Sequence, residues 1–363
     1  MNIIVSAGGS GGHIYPALAI IEEFKKREKN LNILYIGTHN RMEKEIVPKK
    51  GIPFESLEIY GFTKDIKRDI KNIFLIHKAM KKCKHIMSTF KPDVVIGVGG
   101  YVTYPVMKTA KKMGIKTFIH EQNSRPGKVN YLVSRYADIV GVTFKSSSAY
   151  LKKAKKIIYT GHPSLDGALN TKKIDKTLLG FSVSKKLVVY VAGSLGSSSL
   201  NQKMISFLNS DLHNSYEILY IVGSNVNIDD FKAKITNKKG LKIVPYFDNL
   251  PGIMASSDVV ISRAGAGTLF EIIGLEKPSL IIPSPNVANN HQYYNAKELE
   301  ENGVVSVLEE KDVTKEVLAE KIDMLLSHQE KIKNFKKNMV EYKKVNPSKT
   351  IYDAIKKLVS EHK

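Results

Sequence analysis

Three glycine-rich turns hold most of the chemistry this sequence can do. The first, Gly8-Gly9-Ser10-Gly11-Gly12-His13, has four glycines in five residues, more than a tight strand-to-helix turn needs. Glycine lets backbone N–H groups approach a phosphate, and a helix starting there adds partial positive charge. Phosphate or sugar contact is the functional reading, and a plain turn is the alternative. The run is not a dinucleotide fingerprint: Ile14 occupies the place of the third glycine, and Gly37-Thr38 stands where an acid should end the second strand. It lacks the Gly-Lys-Ser/Thr of a Walker loop. The positive end of the helix disfavours an imidazolium at His13. A neutral ring that accepts a proton is one reading of that residue, and a ring bonded to its own loop is the other.

Gly97-Val98-Gly99-Gly100-Tyr101 follows another apolar run, and beside the first turn it would hold a second diphosphate. The third turn, Ser262-Arg263-Ala264-Gly265-Ala266-Gly267-Thr268-Leu269-Phe270-Glu271, leads small residues into a helix whose first N–H groups can take a diphosphate. Glu271 then lies about one turn in, placed to accept hydrogen bonds from ribose hydroxyls. Thr268-x-x-Glu271 also spells a capping box, in which the carboxylate would turn back to the helix start. Asn289-Asn290-His291-Gln292 suits recognition of neutral hydroxyls by amides, and His120-Glu121-Gln122-Asn123 is a similar polar end to an apolar run. Alone, either cluster reads as a solvated cap.

Residues 67–91 carry Ile73, Phe74, Leu75, Ile76, Met80 and Met87 among Lys67, Arg68, Lys71, Lys78, Lys81, Lys82 and Lys84. That is more apolar surface than one buried stripe requires. Ile73 and Phe74 ringed by Lys78, Lys81 and Lys82 read as an interfacial helix on anionic lipid, against the alternative of a core helix with a lysine-rich outer face. Charge supports the first reading. Residues 1–163 hold 29 Lys+Arg against 12 Asp+Glu, a net +17, whereas residues 164–363 hold 27 against 23, a net +4. An anionic partner for the first half follows. Nucleic acid is disfavoured, because only 6 of the 56 basic residues are Arg, Trp is absent and no nucleic-acid-binding motif is visible.

These motifs must be positioned by alternating strands and helices. Strands are expected at 2–7, 32–37, 94–97, 116–120, 139–142 and 157–160, with helices at 16–26, 66–90 and 103–113 between them. The pattern restarts with strands at 187–192, 217–222, 241–245, 259–262 and 279–283. Helices are expected near 199–209, 248–256, 266–275, 289–302, 314–326, 329–343 and 348–361. Such alternation predicts an α/β fold of two Rossmann-like, doubly wound parallel-sheet domains facing a central cleft. The domains are expected at 1–163 and 164–345, with a last helix in 346–363 packing back on the first. A chain of 363 residues with one cysteine, Cys83, has room for two cores and none for an internal disulfide, which fits a reducing compartment. The start has no basic n-region, so no signal peptide is expected. The longest uncharged apolar stretch, 94–107, is broken by three glycines and a proline, so no span of a bilayer is expected either.

Taken together the residues resemble the MurG family of peptidoglycan N-acetylglucosaminyltransferases, which have the GT-B fold. The resemblance runs in order through residues 8–16, Gly37-Thr38-x-x-Arg41-Met42-Glu43, Lys91-Pro92-Asp93-Val94-Val95, 97–101, 120–123, Gly161-x-Pro163, Gly193-Ser194-x-Gly196, 262–271 and His291-Gln292-x-x-Asn295-Ala296. It implies inverting transfer of GlcNAc from UDP-GlcNAc to the C4 hydroxyl of MurNAc in undecaprenyl-pyrophosphoryl-MurNAc-pentapeptide (lipid I). The product would be lipid II, made by a peripheral enzyme on the cytoplasmic face of the bacterial plasma membrane. It implies no cofactor and no metal, the departing diphosphate being met by the 265–268 helix start.

By resemblance the second half binds the donor: Phe247 at the uracil, Glu271 at the ribose, Ser194, Ala266, Gly267 and Thr268 at the diphosphate. His291 and Gln292 would hold the GlcNAc, with Ser10, Gly11, Gly12 and Asn123 contributing from the first half. Gly8, Gly9, Gly99, Gly100 and Tyr101 would receive the acceptor's pyrophosphate, and His13 would be the base. Two positions depart from the family pattern. Leu165 stands where a donor-binding Arg is usual, and Leu195 where a Gln is usual. A UDP-sugar:diacylglycerol glycosyltransferase and a UDP-GlcNAc 2-epimerase share parts of the pattern and are the alternatives.

Overall fold

The computed structural model describes residues 1–62, 65–193 and 196–361. They divide into two compact units, Met1–Ser164 with Val345–Lys363, and Leu165–Lys344.

The first unit is built on a seven-stranded, all-parallel sheet. Its strands are β1 (Asn2–Ala7), β2 (Asn32–Thr38), β3 (Phe54–Leu57), β4 (Val94–Gly99), β5 (Lys116–Glu121), β6 (Ile139–Val142) and β7 (Ile157–Tyr159), in the spatial order β3-β2-β1-β4-β5-β6-β7. The central strands read as unbroken aliphatic runs, as they must when helices cover both faces. Around them lie α1 (Gly11–Arg27), α2 (Glu43–Lys49), α3 (Ile66–Phe90), α4 (Thr103–Lys112) and α5 (Lys128–Ser134).

The second unit repeats the plan with six parallel strands. These are β8 (Leu187–Val191), β9 (Glu217–Ile221), β10 (Leu241–Val244), β11 (Val259–Ser262), β12 (Ser279–Ile281) and β13 (Ser306–Val307), ordered β10-β9-β8-β11-β12-β13. Its helices are α6 (Ser164–Leu169, which begins one residue before the unit boundary), α7 (Ser198–Leu208), α8 (Ile228–Ala233), α9 (Leu250–Ser256), α10 (Ala266–Gly274), α11 (His291–Glu301), α12 (Lys315–Ser327) and α13 (Gln329–Lys343).

The last helix, α14 (Pro347–Ser360), belongs to the first unit. Ile351, Ile355 and Leu358 join the core formed by Ile20, Phe24 and the β1–β4 face. Tyr352 lies edge-on to Phe24 at 5.1 Å and donates its hydroxyl to Glu28 at 2.7 Å. Burying three aliphatic side chains this way is worth roughly 1.5–3 kcal/mol each.

Candidate functional site

Each sheet reverses its strand order once, between β1 and β4 in the first unit and between β8 and β11 in the second. Ligands of open α/β sheets bind outside the carboxyl ends of the strands at such a point. The three glycine turns leave from the ends of β1, β4 and β11, and Gly193 follows the end of β8.

In the first unit the two turns are built against each other. Gly100 has φ +88°, and a Cβ there would lie 2.2 Å from the Gly8 carbonyl oxygen. Gly99, at φ +123°, leaves no room either, since its Cβ would meet the His13 ring at 2.6 Å. The Gly8 N–H donates to the Gly99 carbonyl at 3.1 Å, and the Gly9 N–H donates to Glu43 Oε2 at 3.2 Å. Glu43 is fully buried, and its Oε1 accepts from the Thr38 N–H and hydroxyl at 3.0 and 2.6 Å. The Gly8 and Gly9 N–H groups thus both have acceptors inside the protein. Among the described residues the Gly11 and Gly12 N–H groups, in the first turn of α1, have no acceptor, since intrahelical bonds begin only with His13 and Ile14.

His13 stands at the end of that turn, half-buried. Its Nδ1 lies 3.2 Å from the Gly8 carbonyl. A carbonyl can only accept, so this bond assigns the proton of the neutral ring to Nδ1 and the lone pair to Nε2. The two alternatives for His13 are thus compatible: bonding its own loop sets the tautomer a base requires.

The His120–Asn123 cluster is mostly scaffold. His120 is buried, donates from Nε2 to the Gly161 carbonyl at 3.1 Å and accepts from Gln122 at Nδ1. Burial pulls its pKa down to about 4. Buried Glu121 accepts from the Asn123 and Gly127 N–H groups and from the Asn130 amide at 2.8, 3.1 and 2.9 Å. Burial nevertheless raises its pKa. Asn123 alone of the four is half-exposed, with its amide nitrogen 3.3 Å from Glu121.

In the second unit α10 starts after Gly265, the N-cap, with no side-chain cap. The capping-box alternative therefore fails, since Thr268 is already the third helical residue. Glu271 is left half-buried, and its carboxylate accepts no hydrogen bond from any described residue; burial raises its pKa to about 7. The first-turn N–H groups of Ala266, Gly267 and Thr268 lack intrahelical acceptors. The peptide before the turn is clamped from α11. Gln292 Oε1 accepts from the Ala264 and Ser284 N–H groups at 3.3 and 2.9 Å, and Asn295 donates to the Ala264 carbonyl at 3.3 Å. Gln292 is left with its amide N–H groups to offer a ligand.

His291 donates from Nδ1 to the Ala288 carbonyl at 2.8 Å, and burial lowers its pKa, so Nε2 carries a lone pair. Asn289 and Asn290, at φ 56° and 49°, form the left-handed turn before it. Phe247 lies half-buried between β10 and α9. Ser194 and Leu195 lie outside the described residues. Leu165 is fully buried, packed on Gly274 at the far end of α10.

Two residues of the quoted motifs brace the turns, a role their spacing does not reveal. One is Glu43. The other is Arg263, the sole arginine in residues 164–363. Its guanidinium donates to the Ile282 and Pro283 carbonyls at 3.1 and 3.3 Å, to Ser197 Oγ, and pairs with Glu310 at 2.5 Å, both side chains being buried. It ties the ends of β11 and β12 to the start of α7. A lone arginine at an apolar strand end in a lysine-rich half was the available signal, since its planar fork serves several acceptors at once.

On α3, Ile66, Ile70, Ile73 and Phe74 are 75%, 63%, 49% and 78% exposed, and Phe62 just before it 62%. They lie opposite the buried stripe of Leu75, Ala79, Cys83 and Met87. Lys78 and Lys81 are exposed beside them, whereas Lys82 is held by Glu55 at 2.8 Å and by the Ser56 carbonyl at 2.9 Å. Among the described residues no helix is long and apolar enough to cross a membrane.

Comparison with known proteins defines the class. Residues 3–142 match the glycosyltransferase family 28 N-terminal domain and residues 187–357 its C-terminal domain. A UDP-N-acetylglucosamine–N-acetylmuramyl-(pentapeptide) pyrophosphoryl-undecaprenol N-acetylglucosamine transferase from Bacillus cytotoxicus is 43% identical over 342 residues, 93% of each chain. The crystal structure of Acinetobacter baumannii MurG superposes with a TM-score of 0.76 at 24% identity over 98% of this chain and 99% of that one. A putative UDP-N-acetylglucosamine 2-epimerase from Listeria monocytogenes superposes with the same TM-score at 16% identity over 99% and 97%. The fold therefore does not separate transferase from epimerase, but the sequence does. This is a GT-B glycosyltransferase. Within that class the chain belongs to the MurG family of N-acetylglucosamine transferases.

Proposed function

We propose that this protein transfers GlcNAc from UDP-GlcNAc to the C4 hydroxyl of MurNAc on lipid I, giving lipid II, as a peripheral enzyme at the cytoplasmic face of the plasma membrane. The observation that carries this reading is the near full-length kinship with a transferase named for that specificity, at an identity the epimerase does not approach.

The second unit takes the donor. The open N–H groups of Ala266, Gly267 and Thr268 receive the diphosphate, and the start of α10 stabilises the charge that grows on it as UDP leaves. Glu271 accepts from the ribose, Phe247 lies at the uracil, and His291 with the Gln292 amide meets the sugar hydroxyls. The first unit takes the acceptor, whose pyrophosphate is met by the two packed turns that carry Gly8, Gly9, Gly99, Gly100 and Tyr101, while the Gly11 and Gly12 N–H groups serve the donor. Nε2 of His13 removes the C4 hydroxyl proton. The oxygen attacks the anomeric carbon, the bond from that carbon to the diphosphate oxygen breaks, and the configuration inverts. A positioned base of this kind contributes about 10²–10⁴ in rate.

The exposed apolar face of α3 meets the membrane. Single exposed apolar residues are ordinary, but four on one helix face beside lysines form a patch that favours a partner. Each nearby lysine adds roughly 1 kcal/mol at an anionic surface.

The deciding experiment supplies radiolabelled UDP-GlcNAc with and without a short-chain lipid I analogue. Label in a disaccharide lipid only when acceptor is present is the expected result. Consumption of UDP-GlcNAc without acceptor would overturn the proposal in favour of epimerase chemistry.

A further inference from the structure

Asn72 is an anomaly on α3. It lies on the helix face that carries Leu75, Ala79 and Cys83, is 1% exposed, and sits where an aliphatic residue would pack. A buried amide is costly unless it is bonded, and Asn72 is bonded to a single residue. Its Oδ1 accepts the Tyr60 N–H at 2.9 Å and its Nδ2 donates to the Tyr60 carbonyl at 2.6 Å. One side chain thus closes both backbone groups of Tyr60, as a neighbouring strand would. The rest of Tyr60 is held as well. His39 Nδ1 donates to the Leu57 carbonyl and its Nε2 accepts the Tyr60 hydroxyl, each at 3.3 Å. The Arg68 guanidinium lies 5.7 Å from the Tyr60 ring centre.

The next residue carries the contact onward. A Cβ on Gly61 would lie 3.6 Å from the Tyr101 ring, so the backbone there passes close to that side chain. Tyr101 belongs to the turn whose Gly99 lies under the His13 ring. Tyr60 and Gly61 therefore lead from the buried face of α3 toward the turn that carries Tyr101 and Gly99, and Asn72 is the polar joint at its start.

We propose that Asn72 is a positioning residue for the acceptor: by pinning the Tyr60 peptide it sets the Tyr101 turn relative to the membrane-facing helix. This rests on reading the first unit as the acceptor side. Asn72 touches no substrate. Its removal acts through Tyr60 and Tyr101 and leaves both the donor side and the lipid-facing side chains intact.

The test uses the full chain and the Asn72→Ala and Asn72→Asp variants. KM is measured for a short-chain lipid I analogue and for UDP-GlcNAc, with co-sedimentation on phosphatidylglycerol vesicles alongside. The expected result for Asn72→Ala is an acceptor KM raised about tenfold, which corresponds to about 1.4 kcal/mol. Donor KM and vesicle binding stay within about twofold. Should that variant fail to fold, Asn72→Asp keeps an acceptor for the Tyr60 N–H but sets a carboxylate oxygen against the Tyr60 carbonyl, and a rise in acceptor KM of at least severalfold is expected at unchanged donor KM. An unchanged acceptor KM in a folded variant overturns the proposal. So does an equal rise in both KM values, or a parallel loss of vesicle binding. If the unsubstituted protein fails to transfer GlcNAc at all, the functional reading falls first, and the two failures are distinguishable.

Discussion

Glu271 supports a prediction in which pH is the perturbation. Its side chain is half-buried with no hydrogen-bond partner among the described residues, and burial raises its pKa from 4.5 to about 7. A ribose diol donates to a carboxylate, so the ionised form is the one that holds the donor. UDP-GlcNAc carries a diphosphate diester whose charge is constant from about pH 5.5 upward, and the pKa of His291 is displaced downward, away from neutrality. The ionised fraction of Glu271 falls about tenfold per pH unit below 7, to about one in ten at pH 6. UDP-GlcNAc affinity should therefore be flat above about pH 8 and about tenfold weaker at pH 6, with nearly one proton released per donor bound there.

Calorimetric titration in two buffers of different ionisation heat reads both quantities. In Glu271→Gln the profile should be flat and the affinity lower by about 10- to 150-fold, the worth of one hydrogen bond to a charged group at about 1.5–3 kcal/mol. The stability of the free protein carries the opposite sign. An acid whose pKa is raised by folding keeps its proton longer than the unfolded chain does, so its contribution declines as pH rises from about 4.5 to 7. Thermal stability without donor should drift down over that range while the increment given by UDP-GlcNAc grows. A flat wild-type affinity profile, or the same slope in Glu271→Gln, would refute the reasoning.

Three other substitutions test the remaining parts. His13→Ala should lower kcat by about 10²–10⁴ in the radiolabel transfer assay, with the calorimetric Kd for UDP-GlcNAc within about twofold. Gly100→Ala forces a Cβ to 2.2 Å from the Gly8 carbonyl at φ +88°; two backbones meet there and neither can yield. A loss of more than about 2 kcal/mol is expected in urea unfolding. Arg263→Ala leaves Glu310 buried without its cation and should cost about 3–5 kcal/mol. The double change Arg263→Met with Glu310→Met should recover most of that stability but not donor affinity, because Ser197 and the β12 end lose their common anchor.

What could be read from the sequence was what local spacing encodes. The glycine turns announce themselves because only glycine allows the close approach that Gly100 makes to Gly8, and aliphatic runs such as 94–98 mark strands buried on both faces. The edge strands β3 and β13 escaped because Phe54-Glu55-Ser56-Leu57 and Ser306-Val307 are too short and mixed to carry a period. Thr268-x-x-Glu271 fits a cap and a ligand equally, and only the placement of the N-cap on Gly265 separates them. The braces show the deeper limit. Glu43, Arg263 and Asn72 act on partners that the fold brings near, and spacing along the chain names none of those partners. Each holds a backbone turn at the end of the strands, so the groups that would touch ligand are short and local while those that fix their geometry are distant in sequence. A substitution at a brace should therefore alter binding without altering any contact residue, which is what the Asn72 and Arg263 variants measure.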